Sequence, residues 1–423
     1  METTRKGAAP APGSAGGSLL LAMAVAVFFL FGGITNLNDI LVPKLKALFQ
    51  LGYAEAMLVQ FAFFTSYALF SIPAGLILAR LGYARGVVLG FSIMAASCLL
   101  FLPAAYSGVM AAFLAALFML GGGVTVLQVA VNPLIVALGE PEHAPSRLTF
   151  AQFFNSLGVF LMVRFGAVLI LGPSGTTDPA TLSGAALTAW RIADSAVIGR
   201  SYIGLAVVLT LIAIVFWLRR RDLDRQVVEK VEGSSAADLL RRPRLAMGIA
   251  SLFAYVGAEV SIASIMIIYL GLPRTLALAP QAAGILLSYY WLGALIGRLA
   301  GGFLLRLARP GALLTLFAFA AIALLTVSGA TAGAVAGWSL ILIGGANSLM
   351  FPTIFSLSIE GLGKDAAKAS GLLCTAIVGG AIVPVLTGLV ADRAGLAAAL
   401  IVPGLCYLWI ARFGWFARAA PGA

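Results

Sequence analysis

Charge is scarce in this chain. Only 10% of its 423 residues are Asp, Glu, Lys or Arg, while 61% are hydrophobic and the mean hydropathy is +1.04. Soluble domains carry about 25% charged residues, so a soluble fold is excluded. Histidine is nearly absent: the sole His143 lies in the polar stretch GEPEHAPSR, away from the apolar runs. That excludes serine-type intramembrane proteolysis, which needs a histidine in the membrane. The three cysteines, Cys98, Cys374 and Cys406, are odd in number and lack metal-ligand spacing, which argues against a disulfide framework or a thiolate metal centre. Free, buried thiols and no metal are expected.

What the chain has instead is long apolar runs. A helix needs roughly 20 apolar residues to cross the hydrocarbon core. Twelve stretches qualify, over 18–43, 55–79, 85–104, 108–138, 148–172, 199–218, 246–271, 281–305, 311–331, 334–358, 367–391 and 396–411. The fold class predicted is all-α and transmembrane. Residues 1–17 carry Arg5 and Lys6 and then a Pro/Gly/Ala/Ser tail, with no small-residue cleavage site after it. They read as a retained, disordered cytoplasmic tail rather than a signal peptide, and 412–423 as a second cytoplasmic tail.

The net charge of +11 could suggest a nucleic-acid partner, but the positions of the basic residues argue against one. With the N-terminus inside, 19 of the 27 Lys and Arg fall in cytoplasmic segments, 6 fall outside, and Arg164 and Arg298 lie within spans. This asymmetry is the positive-inside rule, which sets orientation. Both termini are expected in the cytoplasm, in a multi-pass protein of a bacterial inner membrane whose surroundings are lipid and which works as a monomer.

The one long, charged interruption, 219–245, divides the spans six and six. It is read as a linker with a short amphipathic helix, between an N-terminal bundle over 18–218 and a C-terminal bundle over 246–411. The halves share motifs. PAGLILARLGYARG, from Pro73, answers to GRLAGGFLLRLARPG, from Gly297; GGGVTVLQVAVNPLIVALGE in span 4 answers to LIGGANSLMFPTIFSLSIEGLG in span 10. Two six-helix halves with small residues at helix contacts are the signature of an alternating-access transporter. The tandem glycines 121–123, 344–345 and 379–380, with Pro133, Pro352 and Pro384, are expected to allow close packing and bending.

Polar residues inside the runs are few and patterned. A carboxylate costs on the order of 3 kcal/mol at the bilayer centre, so it persists only when it faces protein or a water-filled path. Asp39 and Glu259 are the acidic residues well inside predicted spans, and one aspartate is too few for an intramembrane aspartyl protease. Asn36 and Asp39 are three apart, and Thr35 and Asp39 four apart, so they share a helix face. Thr125, Gln128 and Asn132 do the same in span 4, as do Gln152, Asn155 and Ser156 in span 5. Amides and hydroxyls offer donors and acceptors together, which suits a polyhydroxylated solute; interhelical hydrogen bonding is the alternative for each alone. Span 7 adds Ser251, Tyr255 and Glu259, and span 8 adds Tyr289, Tyr290 and Trp291. Such rings can stack on a solute or belong to an interfacial belt. Arg164, inside span 5, either snorkels to the interface or pairs with an acidic group.

These segments resemble the major facilitator superfamily. GLILARLG is similar to its signature between spans 2 and 3, with Ala79 where that family usually has Asp. NLNDILVPKLKALF, LQVAVNPLIVALG, RLTFAQFFNSLG, YVGAEVSIAS and FPTIFSLSIEGLGK together resemble the fucose and glucose/galactose permease family. The resemblance implies two pseudo-symmetric six-helix bundles around a monosaccharide. It places Asp39 at the family's key carboxylate, Gln128 where the fucose permease has an essential Glu and glucose/galactose members commonly have Gln, and Asn155 at a sugar-contacting Asn. It thereby moves the expected substrate from fucose toward glucose or galactose.

The expected sugar contacts are therefore Asn36, Asn38, Gln128, Asn132, Gln152, Asn155 and Trp291, and the expected ion-coupling residues Asp39 and Glu259. No cofactor is expected beyond a coupling ion. A proton-coupled scheme needs a carboxylate that loads on one side and releases on the other, a sodium-coupled one a carboxylate kept ionised among oxygens, and Asp39 suits either. An uncoupled facilitator, a sugar receptor without transport, or an exporter of another small solute would use the same cavity.

Overall fold

The computed structural model describes residues 15–137, 144–171, 181–220, 236–362 and 365–418. Twelve of its helical segments are long and apolar enough to cross a membrane: Val25–Phe49, Leu58–Leu78, Ala84–Ser107, Met110–Val131, Phe150–Ile170, Gly184–Leu218, Pro243–Leu270, Pro280–Leu305, Pro310–Ala330, Gly333–Ile359, Gly371–Ala394 and Leu396–Ala417. They are spans 1–12. Among the described residues every regular element is helical. Pro243, Pro280 and Pro310 open spans 7, 8 and 9 at the first helical turn, where the missing N–H has no intrahelical partner to lose and the ring's fixed φ suits a helix.

Close packing between helices repeats from one half to the other. Span 5 crosses span 1 where a Cβ added to Gly158 would overlap the Phe29 carbonyl, and span 11 crosses span 7 where one on Gly379 would overlap that of Phe253. Span 4 meets span 2 at Gly121 against Phe63, and span 10 meets span 8 at Gly344 against Tyr290. The four contacts form two pairs of equivalent crossings, so the internal repeat is a repeat of backbone approaches. Without a hydrophobic force between helices in lipid, such approaches supply the dispersion contacts that hold spans together.

Four spans are not continuous helices, although the hydropathy pattern predicts that they are; span 12 is one, turning at Leu400 between Leu396–Ala399 and Ile401–Ala417. Span 1 consists of Ala15–Asn36 and Asn38–Phe49, joined at Leu37. Span 10 consists of Gly333–Asn347 and Met350–Ile359. Span 11 passes through a 3-10 turn, Ala376–Val378, between Ala366–Thr375 and Gly379–Ala394. The breaks in spans 1 and 10 fall beside the amides Asn36, Asn38 and Asn347. Discontinuous spans at mid-membrane expose backbone groups for ligands. The glycines 121–123, by contrast, sit in an unbroken helix, Met110–Ala137.

Span 6 starts about four turns earlier than expected, at Gly184. The added segment contains Arg191 and Asp194, which weigh against a membrane run. Non-local partners take up both: Lys44 Nζ lies 2.8 Å from Asp194 Oδ1, and Arg191 Nε donates to the Leu48 carbonyl at 3.2 Å. Of the expected linker, 221–235 lie outside the described residues, and a short helix, Ala236–Leu240, precedes span 7.

The halves touch through spans 1 and 7, 2 and 11, and 5 and 8. Hydrogen bonds cross this boundary from the end where spans 1 and 2 turn. There Asp392, in span 11, accepts from the Tyr53 and Ala54 backbone N–H groups, and Gln281 of span 8 donates to the Val168 carbonyl of span 5. The molecule is closed at that end.

Candidate functional site

Asp39 sits just past the break in span 1 and is 3% exposed. Its Oδ1 accepts from Gln60 Nε2 of span 2 at 3.1 Å and from Ser264 Oγ of span 7 at 3.4 Å. Gln60 Nε2 also donates to Ser264 Oγ at 2.7 Å. The carboxylate therefore lies on the boundary between the halves. Neither Gln60 nor Ser264 was anticipated from sequence. Gln60 is the one amide in span 2, which is the signal that could have found it.

Around this triangle several buried polar atoms have no hydrogen-bond partner. They are Asp39 Oδ2, both amide atoms of Asn38, Gln60 Oε1, Thr35 Oγ1 and Trp291 Nε1. Trp291 stands against the Asp39 carboxyl and packs edge-on to Tyr290, with ring centroids 5.0 Å apart. Buried donors and acceptors are ordinarily satisfied. So many unsatisfied atoms near one break in one helix mark a place built to receive a polar ligand or an ion.

The remaining predicted residues divide by what their polar atoms already hold. Gln128 Nε2 donates to the Tyr67 hydroxyl at 3.0 Å. Asn155 Nδ2 donates to the Phe28 carbonyl of span 1 at 3.1 Å, reaching it beside Gly32, where a Cβ would overlap the Asn155 amide. Asn36 Nδ2 and Thr125 Oγ1 turn back onto their own helices, to Gly32 and Gly121 carbonyls at 2.9 and 2.8 Å. Gln152 is half-buried, and its carbonyl accepts from Ser156 Oγ at 3.0 Å. The Asn132 side chain lies outside the described residues.

Glu259 belongs to a second network in the C-terminal half. The Tyr255 hydroxyl donates to Glu259 Oε1 at 2.6 Å and lies 3.2 Å from the Asn347 carbonyl. Asn347 Nδ2 donates to the Tyr290 hydroxyl, and the Tyr407 hydroxyl donates to Asn347 Oδ1, both at 2.7 Å. Asn347, the hub, is fully buried and was not anticipated, although it is the sole amide in span 10. Arg298 of span 8 bears electrostatically on Glu259 and donates to Ser156 Oγ of span 5, so this network also reaches the other half.

Arg164 has an aromatic neighbour. Its guanidinium lies 5.9 Å from the centroid of the Tyr289 ring, a cation–π arrangement. Tyr289 is 39% exposed and also faces Trp338, at 6.5 Å.

A description of the Major Facilitator Superfamily matches residues 23–377. The chain belongs to that superfamily. The glucose/galactose transporter of Brucella abortus (strain 9-941) is 44% identical over 392 residues, covering 92% of this chain and 91% of that one. The L-fucose-proton symporter of Escherichia coli (strain K12) is 32% identical over 410 residues, covering 93% and 92%. The crystal structure of FucP in the outward conformation is 30% identical, with a TM-score of 0.72 over 96% of this chain and 100% of that one. The superfamily assignment agrees with the twelve spans and repeated crossings, and the relatives place the chain in the fucose/glucose/galactose permease branch. It is a multi-pass membrane transporter.

Proposed function

We propose that the chain imports a neutral hexose, glucose or galactose in preference to fucose, across a bacterial inner membrane by cation-coupled alternating access. The carrying observation is the set of unpaired buried amide, hydroxyl and indole atoms beside Asp39 at the boundary between the halves. Sugar hydroxyls donate and accept at once, and so match Asn38, Gln60 and Trp291 without a fixed charge. The names of the relatives support a hexose. Gln128, an amide bonded to Tyr67, supports glucose or galactose over fucose, because the resemblance associates a carboxylate there with the fucose permease.

Coupling falls to Asp39. A buried carboxylate oxygen without a partner is costly, so the sealed geometry suits a carboxyl neutralised by a proton or a small cation, with the proton preferred. The 19 basic residues assigned to cytoplasmic segments support cytoplasmic termini. In that orientation the end closed by Asp392 is extracytoplasmic, and the site loads or empties from the cytoplasm. Uptake of labelled glucose, galactose and fucose into proteoliposomes, with proton and sodium gradients imposed separately, tests the proposal. Gradient-driven glucose or galactose accumulation supports it. Uptake confined to phosphorylated sugars, amino acids or hydrophobic cations, or counterflow without accumulation under either gradient, overturns it.

A further inference from the structure

The two oxygens of Asp39 have different surroundings. Oδ1 is engaged by Gln60 and Ser264, which are themselves joined at 2.7 Å; Oδ2 has no partner. All three residues are nearly sealed from solvent, at 3%, 1% and 0% exposure for Asp39, Gln60 and Ser264. Asp39 and Gln60 belong to the first half and Ser264 to the second. The triangle is thus a direct polar link between the carboxylate and the bundle that must move against it.

We propose that Gln60 and Ser264 are positioning residues for coupling: they hold Oδ1 and convey to the second half whether Oδ2 is loaded. The inference rests on the coupling role of Asp39 given above and adds how that role is transmitted. With a proton or a small cation on Oδ2 the carboxyl is neutralised, and the triangle can be buried with its bonds to Oδ1 intact. When Oδ2 is unloaded, the charged oxygen requires donors or water. No hydrogen bond reaches that atom, so span 7 separates at Ser264 and water enters. The ion leaves Oδ2 to that water, and the halves part.

The groups that face the carboxyl fit this division. Glu259 on span 7 bears on it as a like charge, Trp291 on span 8 stands against it, and Gln60 on span 2 and Ser264 on span 7 bond it. No described basic side chain forms an ion pair with Asp39. A lysine or arginine there would neutralise the carboxylate permanently and remove its dependence on the transported ion. Gln60 suits the bridging role because one amide nitrogen carries two N–H groups, one for each partner.

The test uses the full-length protein in proteoliposomes, with Ser264→Ala, Ser264→Thr and Gln60→Ala compared with the parent. Ser264→Ala and Gln60→Ala are expected to lower the gradient-driven accumulation ratio by five-fold or more, to change sugar affinity by less than that, and to raise the sugar-independent ion leak. Ser264→Thr, which keeps the hydroxyl, is expected to restore coupling. A second readout needs no sugar. Spin labels at Tyr106 and Val335, near the closed end, should report a broader and longer distance distribution in Ser264→Ala than in the parent. Accumulation and distances like the parent's in both alanine variants overturn the proposal. So does a parallel fall of affinity, exchange and thermal stability that Ser264→Thr does not restore. Should the parent concentrate no hexose at all, the sugar reading falls, while the label distances still decide the link.

Discussion

Asp392 of span 11 accepts hydrogen bonds from the backbone N–H of Tyr53 at 2.6 Å and of Ala54 at 2.9 Å. The acceptor belongs to one half and the donors to the other. The donors open the short helix Tyr53–Ala56, so free N–H groups that a helix start leaves unpaired are capped from across the boundary. Gly52 and Gly388 let the chains come this close: a Cβ on Gly388 would overlap the Ala54 backbone. The bond can exist only while this end of the molecule is shut.

Replacing Asp392 with Ala should therefore shift the resting population toward the state opened at this end. Hydrogen bonds to a charged acceptor contribute about 1.5–3 kcal/mol when sheltered, and exposure reduces the pair to about 1 kcal/mol, roughly five-fold in population. Thiol labelling of a cysteine placed at Phe49, with and without sugar, measures the shift. Unchanged labelling would show that the apolar contacts between spans 2 and 11 alone keep the end closed.

Asn347 should matter more for stability than for specificity. It holds the Tyr290 and Tyr407 hydroxyls and lies against Tyr255. Asn347→Ala strands two buried phenols, and each unpaired group costs about 1–3 kcal/mol, so a loss on the order of 2–6 kcal/mol is expected. Thermal unfolding in detergent should show it as a clear drop in midpoint, with sugar affinity in the surviving folded fraction changed less.

Asn155→Ala tests the sugar contact implied by resemblance against the contact seen. The amide already donates to the Phe28 carbonyl, and a neutral hydrogen bond contributes about 0.5–1.5 kcal/mol. If Asn155 also meets sugar through its oxygen, calorimetry should give binding several-fold weaker at nearly constant stability. Unchanged affinity with a lower unfolding midpoint would assign it to the crossing of spans 1 and 5.

The difference between what the chain disclosed and what it concealed is physical. Apolar runs of membrane length are local, and so the twelve spans were legible; so was Asp39, because a carboxylate in lipid needs a reason to be there. Gln60, Ser264 and Asn347 were not, since a single amide or hydroxyl is cheap enough to occur anywhere in a span. Helical periodicity shows which residues share a face but not which faces meet. The break at Leu37 is likewise invisible to hydropathy. The extension of span 6 was hidden for the opposite reason: Arg191 and Asp194 weigh against membrane burial until Leu48 and Lys44 are seen beside them.

Asp39→Asn separates the sugar site from the ion site. The amide keeps the size of the side chain and can still present an oxygen to Gln60 Nε2 and Ser264 Oγ, which now bond Oδ1 at 3.1 and 3.4 Å. It removes the charge and the exchangeable proton. With Gln128 unable to exchange a proton, no other group in the N-terminal site can take over. The variant should bind hexose and exchange it across the membrane, since a neutral side chain resembles the loaded carboxyl and the halves can still close. It should equilibrate sugar without concentrating it, whichever gradient is imposed. Accumulation at the parent's level would make Asp39 a structural residue and direct attention to Glu259, whose bond to Tyr255 and proximity to Arg298 give it a route to both halves.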